Sequence, residues 1–298
     1  MNGSHNNQFA GIAAGIAATT GEPFEVTRAQ SIGGGCINEA LRLEGNGQSY
    51  FVKLNRADRL AMFEAEAAGL ETIVDAGALR APRPIALGVA GHQSWLALEY
   101  IEFGRASAIT SDHLGEQLAA LHRVSAEAFG WQRDNTIGAT EQVNTWTVDW
   151  LEFLREHRLG FQLRLAGERG APPALLERGR RLLECLPAFF AGHQPAPSLL
   201  HGDLWGGNWA PDTSGAPVVF DPAVYYGDRE ADLAMTELFG GFNDRFYHSY
   251  RLAWPWDSGY ATRKVLYNLY HILNHYNLFG GGYANQARDM IEQLLAAA

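Results

Sequence analysis

The hydrophobic pattern of the chain changes near residue 102, and this change constrains the fold more than any other feature. Before it, short β-branched and aromatic runs alternate with glycine turns, which is typical of an antiparallel sheet. After it, apolar residues recur every three or four positions, which predicts helices. We therefore predict an α+β protein of two lobes, a small antiparallel β-rich lobe over 8–101 and a larger, mainly helical lobe over 102–298.

Five strands and one helix are predicted in the first lobe. The strands cover 24–32, 36–44, 49–55, 81–88 and 94–101, and the helix covers 56–77. A run of three glycines separates the first two strands, and the sequence GNG predicts a hairpin turn before the third. The first three strands should therefore form an antiparallel meander with a glycine loop between its first two strands.

The second lobe is predicted to be helical except for two short strands. Helices are expected at 111–125, 144–166, 173–190, 230–240, 261–280 and 283–298. The strands, 197–203 and 217–222, bracket the sequence LLHGDLWGGNW at 199–209. This polar sequence is therefore expected to form a loop that follows a strand.

Charge and cysteine content restrict the possible partners and the compartment. The chain has 33 acidic and 23 basic residues, a net charge of −10, which argues against a nucleic-acid partner and against an anionic membrane surface. Only two cysteines in 298 residues are too few for a disulfide framework, so a reducing cytoplasm is predicted. Neither a signal peptide nor a transmembrane helix is expected.

The sequence HGDLWGGN carries a spacing known from phosphoryl transfer. Asp203 and Asn208 lie five residues apart, as in the H-R-D-x-x-x-x-N loop of protein kinases, where the aspartate meets the acceptor hydroxyl and the asparagine holds a metal. Asp221 ends the next apolar strand, and Mg²⁺ prefers such hard oxygen ligands. Each aspartate alone could simply cap a turn. Together they suggest Asp203 as catalytic base, with Asn208 and Asp221 as Mg²⁺ ligands.

Lys53 and the following helix complete this pattern. A strand lysine paired with a helix glutamate directs an ammonium group at the α- and β-phosphates of ATP. Glu64 and Glu66 point about 200° apart on a helix, and Glu66 is favoured because Leu70 lies one turn further on the inward face. The glycine run 33–35 can direct backbone N–H groups at a phosphate. The order of these elements predicts an ATP-dependent phosphotransferase.

Several segments of the chain resemble the fructosamine-3-kinase (ketosamine kinase) family. They include SIGGGCINEA, YFVKLN, MFEAEAAGL, LLHGDLWGGNW, VVFDPAVYYGDREADLAM and YHILNHYNLFGGGY, and the likeness extends from about residue 22 to about 283. The resemblance implies a protein-kinase-like fold of the aminoglycoside and choline kinase group. It also implies ATP-dependent phosphorylation at the C3 oxygen of a ketosamine, which makes the adduct labile and frees the amine.

The resemblance also implies a nucleotide site. The residues expected to contact ATP are Gly33, Gly34, Gly35, Cys36, Asn38, Lys53, Glu66, Glu99, Tyr100 and Ile101. Cys36 by itself is more simply a small buried strand residue. Family behaviour suggests instead a redox-sensitive disulfide, even between two subunits, so a monomer and a homodimer both remain open.

The acceptor site is less well defined by the sequence. Trp205 lies beside Asp203, and aromatic faces often contact sugars, whereas tryptophans in helical lobes are more often part of the core. The other candidates for substrate contact are Tyr225, Asp228, His271 and Asn274. The last two lie on one semi-polar helix face, for which a structural hydrogen-bond network is an equal alternative. Asp228, like Glu230 and Asp232, could instead cap the following helix.

Two other functions remain as alternatives. Another small-molecule kinase of the same fold would act on an aminoglycoside, choline or a simple sugar. A nucleotide-binding pseudokinase with a redox-responsive role is disfavoured because Lys53, Asp203, Asn208 and Asp221 are all present. The acceptor itself could be a free ketosamine or a glycated protein.

Overall fold

The computed structural model describes residues 9–33 and 37–298. It divides into two compact units, and each is described by itself. The first contains the described residues up to Arg105 together with Ala210–Asp221, and the second contains Ala106–Trp209 and Pro222–Ala298. The sequence predicted a single boundary after residue 101 and gave no sign that 210–221 belongs with the first unit.

A five-stranded antiparallel sheet forms the centre of the first unit. Its strands are β1 (Arg28–Ile32), β2 (Glu39–Gly45), β3 (Gln48–Arg56), β4 (Pro84–Ala90) and β5 (Gln93–Glu99), in the order β1-β2-β3-β5-β4. The predicted meander is present, and its second turn has positive φ angles at Asn46 (52°) and Gly47 (76°). A two-residue turn of this kind matches the twist of the strands it joins.

The described residues of this unit include two α-helices. Helix α1 (Ala10–Thr20) was not predicted, because its small residues carry little amphipathic signal although alanine is the strongest helix former. Its Ile12 and Ile16 are buried in the core that the sheet supplies. Helix α2 (Leu60–Ala76) follows a short 3₁₀ turn and agrees with the predicted helix 56–77. Phe63, among other residues of α2, is fully buried.

Backbone hydrogen bonds explain why residues 210–221 belong to the first unit. Residues 210–221 contain most of strand β9 (Trp209–Pro211) and all of β10 (Pro217–Val219), and these two strands pair with each other. The Val219 amide donates to the Arg80 carbonyl at 2.9 Å, and the Gly104 amide donates to the Pro211 carbonyl at 2.9 Å. These long-range bonds leave no local signal in the sequence.

The second unit is mainly helical. Its helices are α3 (Ala108–His122), α4 (Trp150–Phe153), a π-helical segment (Leu154–Leu159), α5 (Gly160–Glu168), α6 (Pro173–Phe189), α7 (Glu230–Leu238), α8 (Asp244–Ala253), α9 (Tyr260–Phe279) and α10 (Tyr283–Ala297). The helix predicted over 144–166 begins six residues later, at Trp150. The residues before it are not helical, because Thr147 forms two backbone hydrogen bonds with Phe129. Helix α8 was not predicted. Within the described ranges, every helix is too short or too polar to cross a bilayer.

Four short strands complete the second unit. Strands β6 (Asn135–Ile137) and β7 (Thr140–Gln142) form a hairpin that the sequence did not predict. Strands β8 (Ser198–Leu200) and β11 (Tyr225–Gly227) pair antiparallel, with Leu200 opposite Tyr225. The HGDLWGGN sequence begins where β8 ends, so this pair fixes the start of the loop.

Candidate active site

Lys53, Glu66 and Asp221 form a compact ionic group in the first unit, called here the Lys53 cluster. Lys53 lies on β3 and is only 6% exposed. Its Nζ lies 2.5 Å from Oε1 of Glu66 on α2 and 2.6 Å from Oδ1 of Asp221. The ion pair expected from the spacing of strand and helix is therefore present, and it involves Glu66 as the sequence favoured.

The two carboxylates keep the Lys53 ammonium charged. Burial lowers the pKa of Lys53, but the charges of Asp221 and Glu66 outweigh it and raise that pKa above its ordinary value. Burial raises the pKa of Glu66, and the charge of Lys53 opposes this effect. The cluster thus presents a fixed cation at neutral pH, with its donors aimed by two anions rather than by solvent.

Asp221 has an unusual backbone conformation. Its φ is +57°, in the left-handed region that residues other than glycine rarely adopt and that aspartate tolerates better than most. The side chain is 48% exposed although one oxygen contacts Lys53. Strained backbone often persists where it directs a functional group. Here it turns the carboxylate at the end of an apolar strand toward the Lys53 ammonium.

In the second unit, Asn208 holds Asp203. The Asn208 Nδ2 group donates to the Asp203 carbonyl at 2.8 Å and to its Oδ2 at 3.2 Å. Asn208 is 6% exposed, and its own amide donates to the Trp205 carbonyl at 3.0 Å. Since Nδ2 is used within the loop, Oδ1 is the Asn208 atom suited to a metal ligand.

Asp232 on α7 anchors the backbone that precedes Asp203. Its carboxylate accepts from the amides of His201 (2.7 Å) and Gly202 (2.8 Å), and it contacts His122 Nε2 at 3.2 Å. Burial raises the pKa of Asp232, but the hydrogen bond and charge of His122 outweigh it, so the pKa is lowered. The sequence offered only helix capping for this residue, because the contact spans about thirty residues of chain.

Trp205 begins a series of aromatic side chains in the second unit. It is 39% exposed, and a Cβ on Gly207 would lie 2.3 Å from its ring, so only glycine fits there. The ring meets the edge of Phe239, whose ring in turn lies 5.0 Å from that of His275. Phe279 also contacts His275, with centroids 5.7 Å apart. We call the four residues Trp205, Phe239, His275 and Phe279 the aromatic wall.

The other residues suggested for substrate contact are buried. Tyr225, Asp228, His271 and Asn274 are between 1% and 5% exposed. Asp228 accepts from Tyr267 and contacts His193, and the Asn274 side chain donates to the Ile137 carbonyl. Burial lowers the pKa of His271 to about 3, so its ring is neutral. The Asn274 contact fits the structural-network alternative, and Asp228 accepts from the Glu230 amide at the start of α7, as the capping alternative expects. Substrate contact by the four residues stays a prediction.

The residues expected around the nucleotide are partly described. Gly34, Gly35 and Cys36 lie outside the described residues, whereas Gly33 is exposed. The Asn38 Oδ1 accepts from Asn55 at 2.7 Å. At the end of β5, the Glu99 amide donates to the Arg83 carbonyl, and the Tyr100 ring lies under the Arg42 guanidinium; the neighbouring Ile101 is half-buried. The Glu99 amide is thus already paired within the unit.

Comparisons with known proteins identify the family of this chain. The fructosamine kinase family model matches residues 8–297. A Synechocystis protein described as a ketoamine kinase is 51% identical over 289 residues, which cover 95% of this chain and 96% of that protein. A chloroplastic protein-ribulosamine 3-kinase of Oryza sativa subsp. japonica is 45% identical over 280 residues, 93% of this chain and 81% of that protein.

Solved structures give the same result at the level of the fold. A Haemophilus somnus protein described as a fructosamine-3-kinase superimposes with a TM-score of 0.87 at 29% identity, covering 95% of this chain and 96% of its own. A choline kinase of Streptococcus pneumoniae has a TM-score of 0.65 at 14% identity, covering 96% and 98%, and shows the fold alone. The predicted α+β, kinase-like fold is confirmed, and the chain belongs to the fructosamine kinase family.

Proposed function

We propose that this protein transfers the γ-phosphoryl group of ATP to a sugar hydroxyl of a ketosamine, at the C3 oxygen. The observation that carries the proposal is the Lys53 cluster, a buried ammonium kept charged by two carboxylates on a strand of the kinase-like fold. Relatives described as ketoamine and ribulosamine kinases support the choice of acceptor. The resulting phosphate would make the adduct labile and release the amine, a deglycation reaction.

In this proposal, Lys53 binds the α- and β-phosphates of ATP and Glu66 orients it. Asp221 of the first unit offers a carboxylate oxygen and Asn208 of the second an amide oxygen, and Mg²⁺ prefers such hard oxygen ligands. The ion would supply charge neutralisation to the phosphates when bound. The glycine-loop residues and the backbone of residues 99–101 are proposed to contact the nucleotide, with Tyr100 and Ile101 the better candidates because the Glu99 amide is already paired.

Asp203 is proposed as the base that receives the acceptor proton. It does not need to be strong, because phosphoryl transfer depends mainly on positioning and charge neutralisation. The Asn208 bonds fix the Asp203 carboxylate, and Asp232 fixes the backbone on its amino-terminal side. The chain thus restricts where the acceptor hydroxyl can lie when it donates its proton to Asp203.

Trp205 is proposed to stack on the sugar. It is the member of the aromatic wall closest to Asp203 in sequence, two residues away, and its ring lies beside Gly207 and makes an edge-to-face contact with Phe239. An aromatic ring fixed in this way can offer a face to the apolar side of a sugar ring. A cytoplasmic location, and a redox link between two copies through Cys36, both stay predictions from the sequence.

The test is ATP consumption across a panel of acceptors. Fructosamines, ribulosamines and a glycated protein should stimulate it, whereas choline, free sugars and aminoglycosides should not. Phosphorus NMR of the product should place the phosphate on C3. Asp203→Asn should reduce kcat by ~10³-fold, since it removes the proton acceptor. ATP consumption stimulated only by choline or an aminoglycoside would show that the proposed acceptor is wrong. An Asp203→Asn enzyme with an unchanged kcat would show that Asp203 is not the base.

The stacking role has its own test. Trp205→Ala should raise the KM for the ketosamine by ~10-fold, the value of one aromatic contact, while the KM for ATP stays within about twofold. Trp146→Ala is the matched control, because Trp146 is similarly exposed (46%) and lies in the same unit. Equal effects of the two substitutions on the acceptor KM would assign Trp205 to loop packing instead.

A further inference from the structure

The hairpin of β6 and β7 carries a chain of buried side-chain amides. Asn135, Gln142 and Asn144 are 8%, 1% and 0% exposed. Gln142 Nε2 donates to Asn135 Oδ1 at 2.8 Å, and Asn144 Nδ2 donates to the same oxygen at 2.9 Å. Burying a side-chain amide is unfavourable unless its hydrogen bonds are satisfied. An apolar side chain would fill the same space at a lower cost, so we expect these amides to have a further role.

The groups at the two ends of this series of amides fix the donor-to-acceptor direction of its hydrogen bonds. At one end, Arg158 Nη2 donates to Asn144 Oδ1 at 2.7 Å, and a guanidinium can only donate. At the other end, Gln142 Nε2 donates to the Ala223 carbonyl at 3.0 Å and Asn135 Nδ2 donates to the Val224 carbonyl at 2.8 Å. Carbonyls can only accept, so every amide between them has a single orientation.

Arg158 is itself an uncommon group in a protein interior. It is 1% exposed, and its guanidinium lies 4.5 Å from the Phe153 ring and 4.0 Å from the Tyr225 ring. Its Nη1 donates to the Val143 carbonyl at 2.7 Å and to the His157 carbonyl at 3.0 Å. Its charge is therefore compensated by carbonyls, by aromatic faces and by the oriented Asn144 amide.

The backbone that the amides hold is the neighbour of the catalytic loop. The Ala223 amide donates to the His201 carbonyl at 2.8 Å. Gly202 has φ +83°, and a Cβ there would lie 2.0 Å from the Ala223 carbonyl oxygen. Residues 223–224 precede β11, so their carbonyls lie outside its ladder and are satisfied by Gln142 and Asn135. Any shift of Ala223 therefore shifts the backbone immediately before Asp203.

We propose that Gln142 and Asn135, oriented by Asn144 and Arg158, are positioning residues for phosphoryl transfer. They touch no substrate; they fix residues 223–224 and, through the Ala223 amide, the backbone that carries Asp203. The Tyr270 hydroxyl donates to Gln142 Oε1 at 2.8 Å, so the Gln142 amide is held at both its nitrogen and its oxygen. The reaction named here rests on the proposed function, whereas the anchoring of residues 201–203 does not.

The experiment compares two buried amides. Gln142→Met keeps the length of the side chain but removes its donors and acceptor. Asn277→Leu is the matched control, because Asn277 is also 1% exposed and its Nδ2 makes two hydrogen bonds, both to Gln162 rather than to residues 223–224. Both variants should lose thermal stability. Only Gln142→Met should lower kcat, by ~10- to 100-fold for a displaced catalytic group, with the KM for ATP within about twofold.

Hydrogen exchange of the protein without substrates provides the independent readout. In Gln142→Met, exchange at the amides of His201, Gly202 and Ala223 should become ~10-fold faster, whereas Asn277→Leu should leave these three amides protected. If Gln142→Met does not fold, the shorter amide of Gln142→Asn is read in the same way. Unchanged exchange at the three amides, or a kcat equal to that of Asn277→Leu, would overturn the positioning role. If the wild-type enzyme ignores ketosamines, the proposed acceptor fails while the exchange result still decides the anchoring.

Discussion

Among the described residues, two buried cations are each held between two carboxylates, and each unit contains one of these cations. The first is the Lys53 cluster. The second is His193, whose Nε2 lies 2.7 Å from Asp228 and whose Nδ1 lies 2.7 Å from Asp257. In each case one carboxylate is shielded, at 11% exposure for Glu66 and 1% for Asp228, and the other is about half exposed, at 48% for Asp221 and 55% for Asp257. Contact geometry alone therefore does not separate a functional charge cluster from a structural one.

The surroundings of the carboxylates do separate them. Asp228 also accepts from the Glu230 amide and the Tyr267 hydroxyl, and both oxygens of Glu230 are bonded by Arg263. These described side chains, His193, Asp228 and Glu230, are close enough for a metal site, but the oxygens of Asp228 and Glu230 already accept hydrogen bonds within the fold. Asp221 instead ends an apolar strand with φ +57°. We therefore propose that the His193 group stabilises the second unit and that the Lys53 cluster binds a ligand.

The comparison is tested most strongly by Lys53→Met. This substitution removes the cation and leaves two carboxylates facing each other, so phosphate binding loses its attractive charge. We expect kcat/KM to fall by ~10³-fold, as for other preorganised electrostatic groups. Steady-state kinetics with the best ketosamine of the panel measures it. If Lys53→Met retained more than about a tenth of the wild-type kcat/KM, the proposed role of this cluster in phosphate binding would be wrong.

His193→Gln tests the other member of the comparison. Glutamine can still donate to one carboxylate but not to both, so one buried charged hydrogen bond is lost. The free energy of unfolding should fall by about 2 kcal/mol, while kcat/KM changes less than about threefold. Urea unfolding and kinetics on the same preparation measure both. A loss of activity as large as that of Lys53→Met would remove the distinction between the two clusters.

Glu66→Gln should have a smaller effect than Lys53→Met. Lys53 would keep its contact with Asp221, and the glutamine oxygen could still accept a hydrogen bond, so the ammonium stays but is less firmly directed. We expect kcat/KM to fall by ~10-fold, the size expected for one weakened charged hydrogen bond. Glu64→Gln, two residues away on the same helix, is the control. Equal losses for both variants would mean that the charge of the helix, rather than the ion pair, matters.

The two clusters also differ in how far the sequence could predict them. Lys53 and Glu66 follow from a strand pattern and a helix period, which are local signals, and the HGD-x-x-x-x-N spacing is local as well. His193 meets partners 35 and 64 residues away, and the amide chain reaches 81 residues to Ala223. Such contacts depend on the packing of helices and hairpins. The same reason hid the return of 210–221 to the first unit and the anchoring role of Asp232.

The titration of the two cations gives the last distinction. Both ring nitrogens of His193 face carboxylate oxygens, so both must donate and the ring is an imidazolium. Burial lowers the pKa of His193, but the hydrogen bond and charge of Asp228, with Glu230, outweigh it and raise the pKa, against an opposing charge on Arg263. The pKa of Lys53 is raised above a value that already lies far above neutrality.

Stability should therefore depend on pH through His193 and not through Lys53. A group whose pKa is raised by folding stabilises the protein fully below its unfolded pKa, about 6.5 for histidine, and loses this contribution as the pH rises through the folded value. The difference in unfolding free energy between wild type and His193→Gln should thus shrink above pH 6.5, by about 1 kcal/mol, because one charged hydrogen bond is lost. Urea unfolding of both proteins from pH 5.5 to 9 measures it, with His92→Gln as an exposed control. A difference that grew with pH would mean that His193 is neutral in the fold and donates to only one of its two carboxylates.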